Sequence, residues 1–406
     1  MTNKRKGDPS LARIISIILV VGVVVLGVVK FAQWFDDKFI AGTIADAAPE
    51  SMRKAKDSIA QANIDEARKL LQPIVGHVKD DVLTPQALML LAEAEKGAGN
   101  TPKTLELLKQ AAYDFPASPE RPRAALAYGR LLEELGRFDE AGTVYGEVRA
   151  FARAELRAPA VTGIGRLAER DGKPVEARAL YGQAVADAQW DSDAWNEALD
   201  ALGRLNAHLI FAPSETPDSK TYVVEPGDVL NTIGIKLNTT QGLLMRANGL
   251  DDSSKLYPGQ RLKYTPKDFK IVIERSTCRL FLADKDGLFK RYSVGLGMPG
   301  HETTLGSYKI GSKTKDPTWF KVGEGPLPPG DPGNELGTRW MPLIPDAGDL
   351  PNDLGLHGTT KPETVGTFAS MGCARLLKED IEELYDLVVR STPVEIVERV
   401  EPKGLG

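Results

Sequence analysis

The sequence predicts a multidomain protein: an N-terminal transmembrane helix, an all-α helical repeat, a small α+β module and a mainly-β C-terminal domain. Three observations predict it. The length of 406 residues exceeds a single ordinary domain. A helix-period apolar pattern recurs at steps of about 36 to 37 residues through the first half. From residue 270 the pattern changes to short β-branched and aromatic runs separated by Gly, Pro and Asp turns.

Composition sets the outer bounds. Hydrophobic residues make up 42% and charged residues 26%, ordinary for globular protein, so sizeable cores can form. The net charge of −5 and the lack of a basic stripe argue against nucleic-acid binding. Two cysteines, Cys278 and Cys373, are too few for a disulfide framework, and both are expected as free thiols. The cysteines and four histidines show no metal-ligand spacing, and no cofactor is expected.

Residues 1–35 read as a cytoplasmic tip and membrane anchor. Residues 14–29 are uncharged, bounded by Arg13 and Lys30. With Leu11 and the aromatic edge at Phe31, Trp34 and Phe35, the stretch reaches the ~20 residues a spanning helix needs. Lys4, Arg5, Lys6 and Arg13 precede it, which orients the N-terminus to the cytoplasm and the later domains outside. A cleaved signal peptide is the competing reading. Ala45-Asp46-Ala47 has the small-x-small pattern of a cleavage site, but it lies far beyond the apolar run.

Residues 49–206 repeat. Asn63-Ile64-Asp65-Glu66-Ala67 aligns with Arg137-Phe138-Asp139-Glu140-Ala141 and Lys173-Pro174-Val175-Glu176-Ala177, with a degenerate copy at Asn100-Thr101-Pro102-Lys103-Thr104. Positions 62, 99, 136 and 172 then occupy equivalent turns. Each unit reads as two helices, marked in the third by Ala124, Leu126, Ala127 and Leu131, then Ala141, Val144, Tyr145 and Val148. Trp195, Ala198, Leu199 and Leu202 mark a closing helix. The region resembles tetratricopeptide repeats, which implies a scaffold and a surface for a protein partner.

Residues 213–220 are a linker by composition. Residues 221–265 read as two short strands bracketing two helices, with Asp228 the expected N-cap of the first helix. The pieces Tyr222-Val223-Val224-Glu225-Pro226-Gly227-Asp228, Ala247-Asn248-Gly249-Leu250 and Tyr257-Pro258-Gly259-Gln260-Arg261-Leu262 occur in order. They resemble the LysM domain, and the resemblance implies binding to N-acetylglucosamine-containing glycan such as peptidoglycan.

In the last domain, residues 268–400, Cys278 falls in a predicted strand. Residues 312–336 are rich in Pro and Gly and are expected to form a lid or binding loop. The chemistry concentrates in Gly355-Leu356-His357-Gly358 and Ser370-Met371-Gly372-Cys373-Ala374-Arg375. A thiolate is a strong nucleophile and an imidazole can remove its proton. The glycines let backbone approach a substrate, and the N–H groups of Met371, Gly372 and Cys373 are expected to receive an oxyanion. A papain-type protease is a poor competitor, because there the cysteine precedes the histidine by a long interval. The stretch resembles the active-site signature of L,D-transpeptidases of the YkuD type. Further landmarks are Thr303-Thr304-Leu305-Gly306-Ser307-Tyr308-Lys309-Ile310 and Leu336-Gly337-Thr338-Arg339-Trp340.

The resemblance implies acyl transfer through a thioester on Cys373, with His357 as base and proton donor and the Gly358 carbonyl orienting the imidazole. The acyl group comes from a peptidoglycan stem peptide. Two positions depart from the common pattern: Met371 stands where many members have histidine, and Arg375 where many have asparagine. Met371 cannot accept a proton, which leaves His357 as base. Arg375 can fork onto a carboxylate, either a substrate's or the domain's own, and Ser370 supports the loop. The sequence thus points to a cell-envelope, periplasmic L,D-transpeptidase acting on peptidoglycan. An L,D-carboxypeptidase using water and a non-catalytic glycan-binding adaptor are the alternatives.

Overall fold

The computed structural model describes residues 9–251, 256–320, 325–346, 348 and 350–401. The chain divides into two compact units, residues 1–156 and 157–406. The first unit is helical: α1 (Pro9–Ala60), α2 (Ile64–His77), α3 (Leu83–Gly97), α4 (Thr101–Tyr113), α5 (Arg121–Glu134) and α6 (Phe138–Phe151). The predicted anchor at 14–29 falls within α1, but side chains there, apart from that of Val28, lie outside the described residues. Among the described residues no helix is long and apolar enough to cross a membrane.

Turn chemistry sets the repeat register. Ala62, Gly99 and Gly136 follow α1, α3 and α5 with φ of 57°, 73° and 73°, the left-handed conformation that terminates a helix. Asn63 and Asn100 then cap the next helices, their side chains accepting the backbone N–H of Glu66 and Lys103. In the last turn of α5, Glu133 accepts the Tyr145 hydroxyl at 2.8 Å. All four positions named for the second helix of this repeat are buried, as is Leu131; Ala127 is only half-buried.

The second unit opens with α7 (Ala154–Arg170), α8 (Pro174–Asp187) and α9 (Asp193–Phe211). Gly172 repeats the left-handed turn at 72°, and Tyr181 repeats the hydroxyl bond, to Glu169 at 3.0 Å. The closing helix α9 does more than end the repeat. Trp195 packs on Phe281 of the sheet at 6.4 Å between ring centroids, and the Asn206 amide donates to the Phe289 carbonyl at 2.9 Å. Ala207, Ile210 and Phe211 enter the core of the C-terminal domain.

The linker at 213–220 is pinned, since Asp218 pairs with Arg178 of α8 at 3.1 Å. The small module follows as β1 (Lys220–Val223), α10 (Leu230–Lys236), α11 (Gln241–Ala247) and β2 (Arg261–Tyr264), with β1 and β2 antiparallel around Val224, Leu230, Ile233, Leu244 and Leu262. Asp228 does not cap α10. Its carboxylate accepts the Tyr222 hydroxyl and the Glu225 N–H, closing the Pro-Gly turn, while Val229 occupies the cap position. Lys263 is buried and donates to the Leu209 carbonyl at 2.9 Å and to that of Ala212, satisfying the C-terminal end of α9.

The C-terminal domain is built on β3 (Lys270–Glu274), β4 (Arg279–Asp284), β5 (Gly287–Ser293), β6 (Leu296–Gly297), β7 (Gly306–Ile310), β8 (Thr314–Lys315), β9 (Trp319–Phe320), β10 (Pro326–Leu327), β11 (Arg339–Pro345), β12 (Gly355–His357), β13 (Phe368–Ser370), β14 (Ala374–Arg375) and β15 (Pro393–Val397), with α12 (Lys378–Leu387) packed against them. The main sheet runs β14-β12-β11-β7-β15-β3-β4-β5 among the described residues. Cys278 is buried, but it sits in the turn before β4 with φ of 53°, not in a strand. Tight pairing of β3 with β4 requires that turn, and period-2 patterning did not reveal it.

Candidate active site

The site forms where two strands end side by side. β12 and β14 pair in parallel, Leu356 with Ala374 and His357 with Arg375. Cys373 immediately precedes β14, and the Leu376 N–H closes the ladder on the His357 carbonyl at 2.9 Å. A hydrogen-bonded ladder therefore brings together the histidine and cysteine loops, sixteen positions apart in the chain.

His357 is 4% exposed and its Nδ1 lies 2.6 Å from the Gly358 carbonyl oxygen. A carbonyl can only accept, so Nδ1 carries the proton and Nε2 keeps its lone pair. Burial drives the imidazole pKa down to about 4; the Gly358 carbonyl opposes this and Arg375 adds to it. The Trp340 ring stands 5.8 Å from the imidazole and lies over Gly355, where a Cβ would meet it at 2.3 Å. Residue 355 is glycine because the indole occupies that space.

Cys373 is half-buried and reduced, as is Cys278 in its buried turn. Its Sγ lies 3.7 Å from the Asp353 carbonyl. Burial pushes the thiol up to about 11. Burial thus disfavours charge on both groups, and favours the neutral thiol and the neutral imidazole.

The turn before the cysteine is built by hydroxyls. Gly372 adopts φ of 117°, and a Cβ there would lie 3.1 Å from Leu354. Ser370 Oγ donates to the Cys373 carbonyl at 2.6 Å and accepts the Gly372 N–H at 3.1 Å. Thr303 Oγ1 donates to the Gly372 carbonyl at 2.8 Å. Of the three N–H groups expected to receive an oxyanion, that of Gly372 is donated to Ser370. The N–H groups of Met371 and Cys373 have no hydrogen-bond partner among the described residues. The Met371 side chain is 65% exposed at the rim.

Arg375 binds within the domain, donating to the Glu335 carboxylate at 2.9 Å, while Lys361 reaches the same carboxylate at 2.8 Å. Glu335 and its neighbour Asn334 escaped sequence analysis. Asn334 is 2% exposed, and its amide donates to the carbonyls of Pro317, Leu327 and Pro328. One buried asparagine thus ties together the irregular segment. The available signal was a polar pair inside a Pro- and Gly-rich run. A cavity of about 210 Å³ lies between that segment and Gly358, Thr359 and Thr360, and Cys373 is not among its lining residues. Among the described residues no cluster of His, Cys, Asp or Glu could hold a metal ion.

Residues 268–396 match the model of the L,D-transpeptidase catalytic domain, YkuD, and residues 222–265 match that of the LysM domain. The YkuD protein of Bacillus licheniformis, assigned by name to the L,D-transpeptidases, is 28% identical over 183 residues, 43% of this chain and 97% of the relative. Its namesake in Bacillus subtilis is also 28% identical over 183 residues, 43% of this chain and 98% of the relative. An L,D-transpeptidase structure from Mycobacterium tuberculosis is 16% identical, with a TM-score of 0.27, over 36% of this chain and 75% of that one. This chain carries a YkuD-type L,D-transpeptidase catalytic domain, a LysM domain directly before it, and a helical repeat region N-terminal to both.

Proposed function

We propose that the chain is a cell-envelope L,D-transpeptidase that transfers a peptidoglycan stem peptide from a thioester on Cys373 to an amine. Residues 1–35 anchor it in the membrane with the later domains outside. Residues 49–206 form tetratricopeptide-like repeats that present a surface to a protein partner. Residues 221–265 bind glycan and residues 268–400 carry the chemistry. The observation that carries this reading is the β12–β14 ladder joining His357 to the cysteine turn.

His357 Nε2 takes the Cys373 proton as sulfur attacks the stem-peptide carbonyl. The tetrahedral oxyanion is received by the N–H groups of Met371 and Cys373. The C–N bond breaks, and the imidazolium returns its proton to the leaving amine. In the second half-reaction, His357 takes a proton from the incoming amine as it attacks the thioester, the C–S bond breaks, and the imidazolium returns the proton to the departing sulfur to regenerate the thiol. The imidazole is unprotonated at neutral pH and free to accept the proton. With a pKa of about 4 it is a weak base at rest, so the transfer has to be driven by the concerted attack on the carbonyl. Gly358 holds the tautomer without an acidic third residue.

Incubation with meropenem, followed by intact-protein mass measurement, tests the assignment. The parent and Cys278→Ala are expected to gain one adduct, and Cys373→Ala none. An adduct that persists in Cys373→Ala and vanishes in Cys278→Ala would sink it. Muropeptide mass spectrometry then separates an amine acceptor from water.

A further inference from the structure

A cavity of about 240 Å³ opens in the first unit, between the second helices of two consecutive repeats. Lys109 and Tyr113 of α4 form one wall and Thr143 and Val144 of α6 the other. The buried Tyr128 and Leu132 of α5, the helix between them, form the floor. The Tyr113 hydroxyl donates to the Glu147 carboxylate of α6 at 2.8 Å, and its ring meets that of Tyr128 edge-on at 6.2 Å between centroids. One tyrosine thus ties both walls to the floor.

The repeat itself requires none of this. With the turns at 62, 99, 136 and 172 in register, the positions equivalent to Tyr113 hold Gly76, Ala150 and Ala186, and those equivalent to Tyr128 hold Lys54, Leu91 and Ile164. Helix pairs therefore stack without either tyrosine, and the two together belong to this junction alone. Tyr128 is 6% exposed, and its hydroxyl has no hydrogen-bond partner among the described residues. That oxygen is not one of the polar atoms shut off from solvent, so it is a reachable donor and acceptor on an aromatic floor. Lys109 is exposed and makes no ion pair among the described residues. Neither does Arg121, whose guanidinium stands over the Phe151 ring at 4.2 Å. The nearby carboxylates are engaged: Glu140 pairs with Arg137 at 2.7 Å, and Glu147 takes the Tyr113 hydroxyl.

The volume lies below the roughly 300–1,000 Å³ of sites that enclose a whole small molecule. It suits one large side chain presented by a longer segment. We propose that this cavity docks an acidic peptide segment of a partner protein. One large aliphatic or aromatic side chain seats on Tyr128 and Leu132 beside Tyr113, a peptide backbone group meets the Tyr128 hydroxyl, and a flanking carboxylate meets Lys109. The apolar seat supplies affinity and the unpaired cation selects the sign of the partner's charge. The proposal rests on the reading of the repeats as a partner surface and gives that partner its chemistry.

Selection of displayed random heptapeptides on the full chain tests it, followed by affinity measurement on the enriched peptides. The parent is expected to enrich sequences in which a large apolar residue neighbours aspartate or glutamate. Tyr128→Leu installs the residue that the preceding repeat uses and should weaken these peptides at least about 10-fold, as loss of a buried aromatic anchor does. Lys109→Glu should weaken them comparably by reversing the charge at the rim. Thr143→Glu, at an exposed wall position, should give the same loss with Tm unchanged, which separates a blocked site from a folding defect. Enriched peptides that bind every variant as tightly as the parent would overturn this site while leaving the repeats a partner surface. Enrichment of basic or purely polar peptides that Tyr128→Leu no longer binds would overturn the ligand class. No enrichment at all would overturn the site and the partner-surface reading together.

Discussion

Replacing His357 by glutamine tests the electrostatics from which the mechanism follows. Burial lowers the imidazole pKa from 6.5 to about 4. As pH falls through 6.5 the unfolded chain takes up a proton that the folded chain refuses until about 4. The unfolded state therefore binds more protons across this window, and stability falls with pH. Above 6.5 the contribution is intact. The gap between the two values, at about 1.36 kcal/mol per pH unit, is on the order of 3 kcal/mol. Glutamine keeps an amide that can reach the Gly358 carbonyl but does not titrate. Urea unfolding of the full chain, followed by tryptophan fluorescence between about pH 7.5 and about pH 4, gives the assay. The parent's carboxylates titrate equally in the variant, so the difference between the two curves isolates the histidine. That difference is expected to be flat above about pH 7 and to move toward the variant by on the order of 3 kcal/mol at about pH 4. A constant difference, or one that moves the other way, would refute the argument. Movement the other way would mean the imidazole is charged at rest, held by a thiolate.

Other consequences follow from the same geometry. Because the Cys373 thiol is pushed up to about 11, its alkylation by iodoacetamide should be slow at neutral pH, with a rate midpoint above that of a free cysteine; a midpoint near neutrality would contradict the neutral pair. Gly372→Ala must hold φ of 117° and press on Leu354, so it should cost about 1–3 kcal/mol and greatly slow meropenem acylation; full acylation with parental stability would show the turn is not needed in this form. Asn334→Ala leaves the Pro317, Leu327 and Pro328 carbonyls without their shared donor, and limited proteolysis should cut residues 316–336 faster than in the parent. Lys263→Met strips the end of α9 of its buried donor and should destabilise the second unit by about 1–3 kcal/mol, read as a lower urea midpoint.

Much of the organisation was legible because it is local. The turns at 62, 99, 136 and 172 follow from helix termination in a left-handed conformation, and Gly or a following Asn announces most of them. The LysM pieces and the His357 and Cys373 loops are contiguous runs, so reading along the chain finds them. Asp228 misled because an aspartate before a helix and one closing a turn look alike in sequence; the Tyr222 hydroxyl, which decides between them, arrives from β1.

The amino-acid order alone determined the succession of domains, the repeat period, the motif bearing one histidine and one cysteine, and the likeness to LysM and YkuD domains. Only the tertiary structure decided the ionisation of that pair, since the pKa of His357 and Cys373 depends on how much water the surrounding strands exclude. It also decided that Gly372 gives its N–H to Ser370, that Arg375 is met by Glu335 forty positions away, and that α9 belongs as much to the catalytic core as to the repeats. Each of these depends on groups far apart in the chain, and desolvation and hydrogen bonding act through space, so no local pattern encodes them.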